Sequence, residues 1–265
     1  MKELDFIKSN DFKFKKKYGQ NFILDSNILK KIVDSASIKT NTLVIEIGCG
    51  AGGLTKLIKE KTNLFIGYEI DKDLEPILST IDSNIIYDDF LKREIKKDIK
   101  SINYGNLIII GNLPYYITTP IISKIINENL NIDEMIIMVQ KEVGDRFLAE
   151  PNSKNYGSLT IYLNYYFNII KLFDVSRNVF IPKPNVDSVV LKLEKRKELQ
   201  KIDDLDLFFK LIKDSFRQRR KTLKNNLKEY NYKIIKEVLK SNDFEDSVRA
   251  EQIPIEVYVR IVNKL

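Results

Sequence analysis

The sequence predicts a doubly wound α/β domain followed by a small all-helical one. Three observations predict it. From about residue 26 to 166, short apolar runs alternate with amphipathic stretches, the pattern of a parallel sheet with crossover helices. A glycine-rich turn, Val44-Ile-Glu-Ile-Gly-Cys-Gly-Ala-Gly-Gly53, follows the first of those runs. Beyond the charged stretch Lys195 to Lys201, only helical periodicity remains.

Residues 1–17 are lysine-rich and end in Lys13-Phe-Lys-Phe-Lys-Lys-Lys17. This basic N-terminal tail reads either as a solvated tail or as a phosphate-binding arm whose phenylalanines can stack. Residues 18–194 form the α/β domain. Its first helix is expected from Ser26, a suitable N-cap, to Ala36, with Ile28, Leu29, Ile32 and Val33 on one face. A strand over Leu43 to Ile47, a helix over Gly53 to Glu60 and a strand over Leu64 to Glu69 follow. Asp71 caps a helix reaching about Ser79. Strands follow at Ile85 to Tyr87, Leu107 to Ile110 and Met135 to Val139. Glu142 to Ala149 and Ser158 to Tyr166 read as helices. Ile169 to Phe173 and Val186 to Leu193 close the sheet, the second with the polar alternation of an antiparallel edge. The charged linker marks the domain boundary. Residues 195–265 carry helices at about Leu205–Phe216, Arg219–Lys228, Tyr232–Lys240 and Ile255–Lys264, with Pro254 placed to start the last.

Composition narrows the chemistry. The 265 residues are 43% hydrophobic and carry a net charge of +7, which favours a polyanionic partner. There is one cysteine, Cys49, and no histidine. That excludes an intramolecular disulfide, histidine bases and triads, and the usual zinc sites, so no metal is expected. No signal peptide and no apolar run of membrane-spanning length is visible. A soluble cytoplasmic protein without a membrane role is expected.

The stretch with the most chemistry is Asn112-Leu-Pro-Tyr115, set where the apolar run Leu107 to Ile110 ends. Pro114 cannot continue a ladder, so a polar side chain, a kinked backbone and an aromatic ring come together at a strand end. In open α/β sheets ligands bind there. This set suits methylation of an exocyclic amine; the rival reading is a plain strand-end turn with a packed tyrosine. The N6 lone pair of adenine is delocalised into its ring, so the amine is a poor nucleophile. Acceptors on both of its hydrogens, the Asn112 side chain and the Leu113 carbonyl, push it towards a nucleophilic geometry. Tyr115 can stack on the extruded base. Phe180, in the proline-punctuated loop Asn178-Val-Phe-Ile-Pro-Lys-Pro-Asn-Val-Asp-Ser188, can supply a second wall, with a core phenylalanine as the rival reading.

The glycine turn points to the co-substrate. Gly48 and Gly50 let the backbone turn and approach a ligand. Glu69 stands nineteen residues past Gly50, at the end of the second strand, where a carboxylate can accept both ribose hydroxyls of a nucleoside. The extra acid Glu46 favours the cationic S-adenosylmethionine over a dinucleotide. Asp89, in Asp88-Asp89-Phe90, can accept from the adenine amino group with Phe90 against the ring, or can simply cap a helix. Ser215-Phe-Arg-Gln-Arg-Arg-Lys-Thr-Leu-Lys224 is the densest basic cluster, and Arg217, Arg219, Arg220, Lys221 and Lys224 read as phosphate contacts, with a solvated helix face as the rival reading.

Taken together, these residues resemble the KsgA-type rRNA adenine N6,N6-dimethyltransferases. The matching pieces are Tyr18-Gly-Gln-Asn-Phe, Glu46-Ile-Gly-Cys-Gly, Asn112-Leu-Pro-Tyr-Tyr-Ile, Gln140-Lys-Glu-Val, Asn152-Ser-Lys-x-Tyr-Gly157, Phe180-x-Pro-x-Pro-x-Val-Asp-Ser188, Gln218-Arg-Arg-Lys-Thr-Leu223 and Arg249-Ala-Glu-Gln252. They run in order from about residue 13 to the C terminus. The resemblance implies a Rossmann-like, S-adenosylmethionine-dependent methyltransferase domain with a small C-terminal all-helical domain. It implies methylation of N6 on two adjacent adenosines in the 3′-terminal hairpin of small-subunit rRNA, with the immature small ribosomal subunit as partner and a monomeric enzyme. It further implies that Asn21, Ile23, Gly48, Glu69, Asp89 and Asn112 line the cofactor site, and that Asn112, Leu113, Pro114, Tyr115 and Phe180 form the catalytic set. Ile23 stands where leucine is usual and Cys49 where proline is frequent. Two rivals remain: the erythromycin-resistance methyltransferases of large-subunit rRNA, and a non-catalytic assembly factor.

Overall fold

The computed structural model describes residues 12–265. The chain divides into two compact units, one of residues up to Gly144 with Ile170–Glu194, the other of Asp145–Ile169 with Lys195–Leu265. In chain order the strands are β1 (Phe22–Ile23), β2 (Thr42–Ile47), β3 (Phe65–Tyr68), β4 (Ile85–Ile86), β5 (Asn106–Asn112), β6 (Glu134–Gln140), β7 (Phe167–Val175), β8 (Phe180–Ile181) and β9 (Ser188–Lys195).

Among the described residues, seven strands form one sheet in the order β4-β3-β2-β5-β6-β9-β7. The first five are parallel, and β9 runs antiparallel to β6. Chain order reverses between β2 and β5, so their carboxyl ends open the crevice where ligands bind in such sheets. Both strands are covered on both faces, which explains the unbroken apolar runs Leu43–Ile45 and Leu107–Ile110. Gly111 lets the two strand ends close up: a Cβ there would come within 2.8 Å of the Ile47 carbonyl.

The helices of this unit are α1 (Ser26–Asp34), α2 (Gly53–Lys59), α3 (Glu75–Leu78), α4 (Ile95–Asp98) and α5 (Thr118–Asn127), with α6 (Lys141–Phe147) at its boundary. Asp25, not Ser26, caps α1, its carboxylate accepting from Asn27 N at 2.8 Å. Asp71 caps a 3-10 turn, Lys72–Leu74, before the short α3. Sequence periodicity missed α5, although Ile121, Ile122 and Ile125 are buried on one face of it.

Two expectations need correction. Residues 1–11 of the expected tail lie outside the described residues. Residues 12–17 are not a tail: Phe12 is buried edge-on to Phe22 at 5.7 Å, and Phe14 packs on Phe12. The Phe12 ring is core and the Phe14 ring is partly buried against it, so neither is held free to stack on bases. Residues 145–169 do not belong with the sheet unit either. Tyr156, Ile161 and Tyr165 are buried in one cluster with Phe208, Leu211 and Tyr258, and that burial assigns the segment to the helical unit.

The helical unit contains α7 (Ser158–Tyr166), α8 (Leu205–Ser215), α9 (Leu223–Asn226), α10 (Tyr232–Lys240) and α11 (Ile255–Val262). On α8 the buried residues Phe208, Leu211, Ile212 and Ser215 follow helical spacing. The helix expected over Arg219–Lys228 is only the four residues of α9. Thr222 starts it by accepting from Asn225 N, and residues 217–221 before it turn without helix.

Candidate active site

A cavity of about 440 Å³ opens at the carboxyl ends of β2, β3 and β5. It is within the size range of small-molecule sites. Its floor is the glycine turn. Gly50 takes a left-handed φ of 56°, which aims its amide at Glu69. Gly50 N donates to Glu69 Oε2 at 2.8 Å, and Asp71 N donates to Oε1 at 2.8 Å. Each oxygen keeps acceptor capacity towards the cavity that Glu69 lines. Glu69 is 6% exposed, and burial pushes its pKa up to about 7.

Glu46 lies beneath the turn and is fully buried. Thr55 Oγ1 donates to its Oε2 at 2.6 Å, while Oε1 has no partner among the described residues. Burial, reinforced by the nearby charge of Glu69, lifts its pKa to about 8. Both acids border the cavity, whose lining also includes Asp88, Asp89, Lys30 and Lys56, and burial favours the neutral form of each of the two glutamates. Cys49 is buried, and burial raises its thiol pKa well above normal, so it is a packing residue.

Asp89 caps a turn, the second of the two readings offered for it, and it lies at the cavity. Its Oδ1 accepts from Leu91 N at 3.0 Å, capping the 3-10 turn Phe90–Lys92, and the residue also borders the cavity. Phe90 stands beside it, edge-on to Tyr68 at 5.1 Å.

Asn112 ends β5. Its Nδ2 donates to the Asn21 carbonyl at 2.9 Å. That bond fixes the amide's orientation and leaves Oδ1 as an acceptor at the cavity. Leu113, Pro114 and Tyr115 also line it. The Tyr115 hydroxyl meets Ser188 Oγ at 2.6 Å, and burial raises its pKa. Ser188, which holds the Tyr115 hydroxyl, was not singled out by sequence reasoning; it lies in a quoted motif, but its partner 73 positions away was not visible.

Phe180 is not brought to the cavity. Its ring is 4% exposed and packs in the core with Phe12, Phe22 and Val175, and its backbone pairs with Ile23 in the small antiparallel ladder β1–β8. An apolar ring at a strand position is worth more buried than facing an open site, so the rival core reading prevails. The same ladder brings Asn21 and Ile23 to the cavity wall. Gln20, another residue not singled out, donates to Asp71 Oδ2 at 2.6 Å and accepts from Lys15 N at 2.7 Å. Lys15 Nζ bridges Asp71 and Asp73, fastening the segment before β1 next to the Glu69 strand end.

In the helical unit, Arg217, Arg219, Arg220, Lys221 and Lys224 are all exposed. Arg219 is engaged internally: its guanidinium donates to the Lys154 carbonyl at 2.9 Å and the Tyr156 carbonyl at 2.7 Å. Of the five expected phosphate contacts, Arg219 is therefore the one that donates to backbone carbonyls, while Lys224 Nζ lies 5.7 Å from the Tyr232 ring centroid.

Known proteins resemble this chain along nearly its whole length. The family model described as ribosomal RNA adenine dimethylase matches residues 11–265. A Streptococcus thermophilus protein named ribosomal RNA small subunit methyltransferase A is 41% identical, covering 98% of this chain and 94% of its own. A protein of that name from aster yellows witches'-broom phytoplasma is 45% identical over 94% of this chain and 95% of its own. Among solved structures, a dimethyladenosine transferase from Plasmodium falciparum is similar with a TM-score of 0.73 and 26% identity, over 91% of this chain and 95% of that one. The 23S rRNA methyltransferase ErmE has a TM-score of 0.70 at 23% identity, over 92% of this chain and 99% of that one, a likeness of fold.

Proposed function

Because the chain belongs to the ribosomal RNA adenine dimethylase family, we propose that it transfers methyl groups from S-adenosylmethionine to N6 of two adjacent adenosines in the 3′-terminal hairpin of small-subunit rRNA. It does so as a monomer on immature small subunits in the cytoplasm. The observation that carries this reading is Asn112, whose amide is tied by its donor side to Asn21 and presents its acceptor at the cavity beside Tyr115. The relatives named for the small subunit support this target over the large-subunit one.

The cavity suits the cofactor. The Glu69 carboxylate is held by two backbone amides with acceptor capacity to spare for a ribose diol. When bound, S-adenosylmethionine supplies an electrophilic methyl group on a sulfonium. The chain supplies position and polarisation. Asp89 and Phe90 hold the cofactor's adenine end, and Asn21, Ile23 and Gly48 close over it. Asn112 Oδ1 and the Leu113 carbonyl grip the hydrogens of the target N6, directing its lone pair at the methyl group. Pro114 fixes the kink that aims that carbonyl. Tyr115 stacks on the base, its ring steadied by Ser188. The methylated amine is strongly acidic and releases its proton to water, so a chain without histidine lacks nothing the reaction requires. Arg217, Arg220, Lys221 and Lys224 contact RNA phosphates.

The test is methylation of purified immature small subunits by the isolated protein, followed by mass spectrometry of the digested rRNA. Adjacent dimethyladenosines are expected with wild type. Asn112→Ala should slow the first transfer by about 2–4 kcal/mol, the cost of removing one preorganised polar group. Methylation confined to large-subunit rRNA, or none at all, overturns the reading.

A further inference from the structure

We propose that Tyr116 is a positioning residue that stacks on the nucleotide next to the adenosine being methylated. The proposal rests on the function just argued and adds an interaction outside the cavity.

Tyr116 is 57% exposed, the most exposed large hydrophobic side chain among the described residues, yet its ring borders the cavity. It adjoins Tyr115 in sequence, and the two rings are set up differently. Tyr115 is half-buried with its hydroxyl on Ser188, whereas Tyr116 presents ring surface to solvent at the mouth. Its position is not incidental. Gly19, with φ at 61°, passes so close that a Cβ there would lie 3.0 Å from Tyr116 Cε1. The turn that Gly19 makes also carries Tyr18 to the cavity lining, with Lys17 Nζ 4.7 Å from the Tyr18 ring centroid. Lys16 lies exposed on the same turn. The cavity rim thus has an open aromatic face with lysines on the neighbouring Tyr18 turn, while Asp89 is the acid that acts on the Tyr116 hydroxyl; an aromatic face with ammonium groups nearby is the pairing that holds single-stranded nucleic acid by stacking and phosphate attraction.

The occupant follows from the substrate. Drawing one adenosine into the cavity breaks its stack with the next base and bares an aromatic face on that neighbour. Tyr116 can cover that face at the rim. Because the two target adenosines are adjacent, the base on Tyr116 in one step is the base in the cavity in the other.

The test compares wild type with Tyr116→Ala and Tyr116→Phe. Initial methylation rates are measured against the concentration of immature small subunits, alongside cofactor Kd by calorimetry and the thermal midpoint. Loss of one stacked base predicts that Tyr116→Ala raises KM for subunits about tenfold. Cofactor Kd and midpoint stay unchanged, and rRNA modified at only one of the two adenosines accumulates. Tyr116→Phe keeps the ring face and should restore KM to within about twofold of wild type. An unchanged KM in Tyr116→Ala overturns the proposal. So does a Tyr116→Phe defect equal to that of alanine, because the hydroxyl would then be the working group. So does a weakened cofactor Kd, because the ring would then act inside the cavity. A wild type that methylates no small subunits refutes the underlying function and the proposal with it.

Discussion

Replacing Glu69 is the sharpest probe of the cofactor assignment. Its two oxygens each accept one backbone amide at 2.8 Å, from Gly50 and Asp71, and each retains capacity for one ribose hydroxyl. A hydrogen bond to a charged acceptor contributes about 1.5–3 kcal/mol. Glu69→Ala should therefore weaken S-adenosylmethionine binding by about 10- to 150-fold. Glutamine is not a gentler replacement. Its NH2 group must face either the Gly50 or the Asp71 amide, donor against donor, which costs about 1–3 kcal/mol. The pH dependence has a definite sign. Burial lifts the Glu69 pKa to about 7, so below that value the free protein carries a proton where the ribose diol needs an acceptor. Cofactor Kd should rise as pH falls through about 7, by at most tenfold per unit, and level off above it. Calorimetry between about pH 6 and about pH 8.5, a span that brackets this pKa, measures both effects. Wild-type affinity in Glu69→Ala with an intact thermal transition, or a flat pH profile, would refute the ribose assignment.

Glu46→Gln should stabilise the free protein at about pH 8 and flatten its stability between about pH 4.5 and 8. Burial raises the folded pKa to about 8, so wild type loses stability across that window as the unfolded chain ionises first; equal slopes of stability against pH in the two proteins across that window, from denaturant titrations, would contradict this. Arg220→Ala with Lys221→Ala should lower the slope of log K against log salt for RNA by about 0.7–0.9 for each phosphate no longer neutralised, at unchanged thermal midpoint. Arg219→Ala should instead lower the midpoint of the helical unit, since it strips two carbonyls of their donor; the reverse pattern would exchange their roles. Phe180→Ala should cost about 3–5 kcal/mol of stability, as for truncation of a buried ring. A stable variant impaired only in the second methylation would restore Phe180 to the catalytic set.

What was legible in the sequence depended on local chemistry. The alternation of buried strands and helices, the glycine turn and the Asn112–Tyr115 corner are consequences of residues close together in the chain. Helix α5, though ten residues long, and the 3-10 turns were missed because three or four buried residues make little periodicity. Pairings across the chain were invisible for another reason. Nothing in residues 12–17 announces that Phe12 will meet Phe22 or that Lys15 will find Asp71. Phe180 sits in a proline-rich loop whose sequence leaves a base wall and a core ring as rival readings, and pairing with Ile23 makes it core. Arg219 and its neighbours are alike in sequence; only the fold of Lys154 and Tyr156 separates one from the rest.

The discontinuity of the helical unit sets the order in which the chain can mature during its own synthesis. Residues 145–169 leave the ribosome before β9 completes the sheet, but their partners on α8 and α11 are translated last. Until then Tyr156, Ile161 and Tyr165 have nowhere to bury. The nascent protein must carry this apolar stretch uncovered while its first unit finishes folding. A fragment ending near residue 194 should therefore aggregate even though its sheet is complete. It should become manageable only when residues 195–265 are supplied, a result that co-expression of the two pieces would reveal.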